Sequence, residues 1–187
     1  MVNSGHSKRV RLIEAASKLI HRQGFNQTTL ADIARESAVP LGNVYYYFKT
    51  KEDIGRALIE HRAGFYRDLI ATWDKLPDPK ARILALIQVV CDQREELARS
   101  GCPIGSLCQE LHKEGGPLAD KSATLLAAIL GWTERQFRLL GKDEEAADLA
   151  LHLVSALQGA SLLTHTFHRP EYMTRETARL KDWVNAL

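Results

Sequence analysis

An all-α fold of nine helices is predicted by three observations. Leu and Ala together supply 48 of the 187 residues, against 18 for Val and Ile, and straight-chain residues and Ala lose little on entering a helix. Apolar residues recur at helical spacing, with no strand alternation, internal repeat or low-complexity tract. Capping residues, glycines and prolines stand where nine helices would begin and end.

Val10, Ile13, Ala16, Leu19 and Ile20 share one face of a first helix, and Gly24 suits its C-cap. Thr28 or Thr29 caps a short second helix ending near Ser37, with Asp32 completing an approximate capping box. Pro40 suits the first turn of a third helix running to about Phe48. Thr50 with Asp53 starts a long fourth helix to about Trp73. Pro77-Asp78-Pro79 breaks the chain, and Asp78 caps a fifth helix that Gly101 ends. Pro103 restarts a sixth to about Lys113, and Gly115-Gly116-Pro117 breaks again. The seventh runs to Gly141 and the eighth from about Asp143 to His168, where Pro170 stops it. Thr174 caps the last.

The composition, 45% hydrophobic and 26% charged, excludes disordered and fibrous classes. No apolar run approaches the roughly 20 residues that span a bilayer, so no membrane partner is expected. The first nine residues lack the apolar stretch of a secretion signal. Three cysteines without a framework spacing suit a reducing, cytoplasmic setting. The net charge of +2 divides into +4 over residues 1–50 and −2 over the rest, which hints at a polyanionic partner for the N-terminal segment.

Residues 28–51, TTLADIARESAVPLGNVYYYFKTK, read as two short helices joined by a turn near Ala38-Val39. Leu30, Ile33 and Ala34 form the inner face of the first, and Val44 and Phe48 that of the second. Three successive tyrosines sweep about 200° of that second helix, so they are not all buried. A tyrosine ring packs while its hydroxyl donates to a phosphate oxygen. Lys49 and Lys51 add two cations beside a helix N-terminus, both suited to phosphate.

This segment resembles the DNA-binding domain of the TetR family of transcriptional regulators. The resemblance rests on Gly24-Phe25, Thr28-Thr29, Ile33-Ala34, and Gly42 through Phe48 followed by Lys49-Thr50-Lys51. It implies a three-helix helix-turn-helix domain over residues 1–50 and a larger helical effector-binding and dimerisation domain over 51–187. It also implies a homodimer on a near-palindromic operator in double-stranded DNA, acting as a repressor released by a small-molecule effector. Leu41, Gly42 and Asn43 would face bases, whereas Thr29, Tyr45, Tyr46 and Lys51, with Lys49 beside them, would contact phosphate. Leu41 and Tyr47 depart from the Lys and His common in the family.

The eighth helix is apolar almost all round and is expected to be buried on every side, one side by a second subunit. Leu151, Ser155, Leu157, Gly159 and Leu162 are the expected dimer-interface residues. Phe65, Cys91, Leu107, Leu125 and Trp132 lie on helices that would surround an effector pocket. Cys102, between Gly101 and Pro103, stands where a helix start attracts an anionic sulfur. The string Gly101 to Gly105 also resembles a loop by which some family members sense oxidants or electrophiles. A thiol enzyme pairing Cys102 with His112 or Glu110 is the rival, but no G-x-S-x-G, H-E-x-x-H, G-x-G-x-x-G or C-x-x-C motif supports catalysis. His165 and His168 lack a third ligand at a supporting spacing, so neither metal nor cofactor is expected.

Overall fold

The computed structural model describes residues 4–187, with side chains from Lys8 onward; the first residues of the stretch read as lacking a leader lie outside them. The helical segments are α1 (Ser4–Gln23), α2 (Leu30–Ser37), α3 (Leu41–Tyr47), α4 (Lys51–Trp73), α5 (Pro79–Asp92), α6 (Arg94–Ser100), α7 (Gly105–Glu114), α8 (Pro117–Leu139), α9 (Ala146–Phe167) and α10 (Pro170–Ala186). They are the nine predicted helices with the fifth interrupted: the N–H of Gln93 bonds the carbonyl of Val90, three residues back, and splits α5 from α6. No strand occurs among the described residues.

Local chemistry sets most of the ends. Thr29 and Asp32 form a reciprocal capping box at α2. Thr50 and Asp53 exchange the same pair of bonds before α4. The carboxylate of Asp78 accepts from the N–H groups of Lys80 and Ala81. Three starts differ from expectation. The chain from Cys102 to Ile104 is not yet helical, so α7 begins at Gly105. α9 begins at Ala146 rather than near Asp143. α10 begins at Pro170, because proline is pre-set for a first helical position; Thr174 lies inside, its hydroxyl bonding the carbonyl of Pro170.

The chain divides into two compact units, residues 1–64 with 106–125, and residues 65–105 with 126–187. In the first, Leu12, Ile33, Val44, Ile54 and Leu58 are fully buried. Gly55 is needed there: a Cβ would meet the Phe25 ring at 2.9 Å and Leu118 at 3.1 Å. The carboxylate of Glu110 accepts from the N–H groups of Phe25, at 2.6 Å, and Asn26, at 2.7 Å. It therefore holds the α1–α2 turn, in which Gly24 has a φ of +87°.

The second unit is built on Trp73, Ile83, Ile87, Trp132, Phe137 and Leu153. The rings of Trp73 and Trp132 lie 5.1 Å apart, and Trp132 donates its indole N–H to Asp74 at 2.9 Å. α9, with 22 residues, is long and apolar enough to cross a bilayer by length and composition, contrary to expectation. Here it is a core helix, with Ala146, Ala150, Leu153 and Leu157 inside the cluster. Nor is it buried all round in this chain, since Leu151, Ser155, Gly159, Leu162 and Leu163 form an exposed stripe.

Candidate nucleic-acid interface

α3 is a short helix with a firm seat and a bare outer face. Val44 and Phe48, four residues apart, are buried, and the guanidinium of Arg9 lies over the Phe48 ring at 5.6 Å. Burying that one stripe turns its neighbours outward: Leu41, Tyr45 and Tyr46 are 40%, 48% and 76% exposed. Tyr47 is half-buried, its ring edge-to-face with that of Tyr46. Gly42 is exposed, and a Cβ built there meets nothing within 4 Å. Asn43 is half-buried beside it, and its N–H bonds the carbonyl of Pro40 at 2.8 Å.

The turn before α3 is pinned from α1. Ala38 adopts the left-handed conformation with φ 51°, which costs a non-glycine residue about 1 kcal/mol. Arg11 donates to the carbonyls of Ser37 and Ala38 and supports that geometry. Nothing in the local pattern marks Arg11, because its partners lie 26 and 27 residues away.

Two of the expected phosphate contacts have local work. Thr29 gives both its N–H and its hydroxyl proton to Asp32, at 3.0 and 2.6 Å. These bonds fix the start of α2. Those bonds, the side-chain one foremost, hold the Asp32 carboxyl below its usual range. Lys51 is half-buried, donates to the carbonyl of Asn26 at 2.9 Å, and lies 4.7 Å from the centre of the Phe25 ring. That bond uses one of the three donors of an ammonium group. Lys49 is exposed, while its backbone N–H and that of Thr50 go to Asp53. The Thr50 N–H is the main reason that carboxyl is also held low.

None of the expected pocket residues lines the cavity found in the second unit. Phe65 is exposed, Trp132 is sealed in the core, and Leu107 and Leu125 belong to the first unit. Cys91 is half-buried and is not among the residues lining that cavity. The second unit instead holds a cavity of about 60 Å³ whose walls include Tyr66, Leu86, Cys102, Gln158 and Ser161. Apolar periodicity marks core and cavity walls alike, so sequence spacing does not separate them. Among the expected interface residues, Leu151, Ser155, Gly159 and Leu162 are exposed on one side of α9. Leu157 is not available to a partner: it is 5% exposed and faces the core, because it follows Leu153 by one turn.

Cys102 is half-buried, and its sulfur accepts the N–H of Gly105 at 3.3 Å, as a cap to α7. The partners proposed for a thiol enzyme are committed elsewhere. Glu110 takes the two N–H groups of the α1–α2 turn, and Nδ1 of His112 bonds the carbonyl of Cys108. His168 ends α9 in the left-handed conformation, its Nδ1 on the carbonyl of Ala98. No metal-binding cluster occurs among the described residues.

Comparisons with known proteins agree with this geometry. The family model described as bacterial regulatory proteins, tetR family, matches residues 12–58, which contain α2, α3 and the turn that Arg11 holds. The transcriptional regulator AcuR of Cereibacter sphaeroides is 29% identical over 142 residues, 74% of this chain and 64% of that protein. The regulator LmrA of Bacillus subtilis is 28% identical over 84% of this chain and 86% of its own length. The crystal structure of reduced Escherichia coli NemR superposes with a TM-score of 0.81 at 21% identity, over 95% of this chain and 96% of that one. The buried α3 stripe with its exposed aromatic flank lies on the segment matched by that family model, so the chain carries a helix-turn-helix segment of the TetR type.

Proposed function

We propose that the protein is a cytoplasmic, dimeric repressor that inserts α3 of each subunit into the major groove of a near-palindromic operator and leaves it when a small molecule binds the second unit. Residues 1–50 carry the reading head and residues 51–187 the effector and dimer functions. Gly42 carries this reading. A glycine inside a helix costs about 1 kcal/mol against alanine, and no atom of the chain requires one there. Close approach of a DNA backbone or base edge supplies the reason. Leu41 and Asn43 flank it as base contacts, Asn43 suited to adenine and Leu41 to a thymine methyl. Tyr45, Tyr46, Lys49 and the free donors of Lys51 supply phosphate contacts, which position without specifying.

Dimerisation follows the same logic. Gly159 lies on the exposed stripe of α9 with nothing within 4 Å of a built Cβ, so a helix from a second subunit can approach closely. Two-fold pairing presents two copies of α3 to two half-sites. Tyr66 and Leu69, on the cavity wall, sit on α4, the helix that begins at Lys51. A ligand that prefers one position of α4 biases the reading heads by its differential affinity for the two states. Fluorescence anisotropy on DNA upstream of the gene and its neighbours tests the reading, with a steep loss of affinity expected as salt rises. A protein that binds no such DNA at low salt, or binds every sequence equally, overturns it.

A second reading is favoured by the place of Cys102: its sulfur caps α7 and also lines the cavity. Oxidation or alkylation there would alter the cavity directly. Maleimide should reach Cys102 ahead of buried Cys108, and Cys102→Ser should lose any oxidant- or electrophile-driven release from DNA. Release that survives the substitution makes the thiol a packing group.

A further inference from the structure

We infer that the cavity of the second unit takes a small, uncharged, mainly apolar molecule bearing one hydrogen-bonding oxygen, which Ser161 and Gln158 read. This rests on the effector reading only for its regulatory consequence; the binding itself is a property of the second unit. The cavity of about 60 Å³ has room for about four waters, or about four to six non-hydrogen atoms. Its walls come from Leu69, Leu86, Val89, Ile129 and Val154 among others, and no lysine, arginine, histidine or carboxylate lines it among the described residues. An ion entering such a space would lose hydration without a counter-charge, a cost far above that of burying a neutral group.

Among the polar residues of the wall, which also include Tyr66, Gln93 and Cys102, one offers a buried group without a partner. Ser161 is 3% exposed, lines the cavity, and its hydroxyl has no hydrogen-bond partner within the protein. A serine inside a helix ordinarily bonds a carbonyl one turn back, and this one does not. Gln158, one turn earlier on α9, also lines the cavity. Its Oε1 would lie 2.6 Å from a Cβ at Gly105, so the glycine leaves room for the amide. A hydroxyl and a neighbouring amide, each able to donate and accept, suit an alcohol or carbonyl oxygen.

The test uses the full chain without DNA and four probes matched in size: cyclopentanol, methylcyclopentane, cyclopentylammonium and cyclopropanecarboxylate. Binding is read by methyl NMR titration. Cyclopentanol should bind at least tenfold more tightly than either ion. Ser161→Ala should weaken cyclopentanol about threefold to tenfold and leave methylcyclopentane within about twofold. Should that variant fail to fold, Gln158→Leu asks the same of the second polar wall. An ion binding as tightly as the alcohol, an unchanged alcohol affinity in the variant that folds, or no binding by any probe each overturns the assignment. DNA affinity on the same samples separates the two readings. Alcohol binding without DNA release upholds the cavity assignment and overturns its effector role; intact DNA binding with no probe bound overturns the cavity assignment and leaves the DNA-binding reading standing.

Discussion

Glu110 accepts the backbone N–H of Phe25 at 2.6 Å from a position 85 residues further along the chain. With the bond to Asn26, it closes the α1–α2 turn from α7. Removing the carboxylate leaves two N–H groups without their acceptor. Glu110→Ala is expected to cost about 2–3 kcal/mol, since bonds to charged groups are each worth more than neutral ones. Hydrogen exchange should rise in α1, α2 and α3. Unchanged protection there would mean that water replaces the carboxylate at no cost.

Two helical glycines should respond in opposite ways. At Gly55 a Cβ meets the Phe25 ring at 2.9 Å, so Gly55→Ala must displace a packed aromatic and is expected to destabilise by about 1–3 kcal/mol. At Gly42 the space is open, and Gly42→Ala should stabilise the free protein by a few tenths to about 1 kcal/mol. The same substitution should weaken operator binding at least tenfold. Thermal denaturation beside anisotropy titration reads both. A Gly42→Ala protein that binds DNA normally removes the reason given for that glycine.

Much of this was legible before the structure because it is local. The boxes at Thr29-Asp32 and Thr50-Asp53, the cap at Asp78 and the buried pair Val44 and Phe48 each follow from residues within one turn of each other. What escaped depends on distant partners. Arg11 and Glu110 reach carbonyl or N–H groups that no spacing connects to them. Lys51 resembles a phosphate contact by position, while its bond to Asn26 shows up only in three dimensions. The walls of the cavity were not singled out because an apolar residue on a helix looks the same whether it fills a core, as Trp132 does, or lines a void, as Val154 does.

The two faces of α9 give a matched pair of charge substitutions. Leu157 is buried among core residues, so Leu157→Glu places an unpaired carboxylate in the core and should unfold the second unit. Leu151 and Leu162 are exposed, so Leu151→Glu with Leu162→Glu should leave the fold intact. If the stripe pairs two subunits, that double variant sediments as a folded monomer and loses operator affinity. A double variant that remains dimeric and binds DNA would place the interface elsewhere.

Acid should attack the first unit before the second. The carboxyls of Asp32, Glu36, Asp53 and Glu60 are all held below their ordinary values, chiefly by hydrogen bonds from Thr29, Lys18, Thr50 and Lys121 respectively. All four and all four partners lie in that unit. A carboxyl lowered by folding contributes stability above its unfolded value and loses it as pH falls through its folded value. The loss is therefore expected below about pH 4. The three tryptophans, Trp73, Trp132 and Trp183, belong to the second unit, so their emission should lag behind exchange in α2 and α3 on acidification. Salt separates the causes: the exposed pairs Lys18–Glu36 and Lys121–Glu60 are screened, whereas the capping bonds of Asp32 and Asp53 are short-range. Asp32→Asn with Asp53→Asn should flatten the acid response even at high salt. If tryptophan emission changes first, or the double variant keeps the wild-type acid profile, the capping carboxylates do not set it.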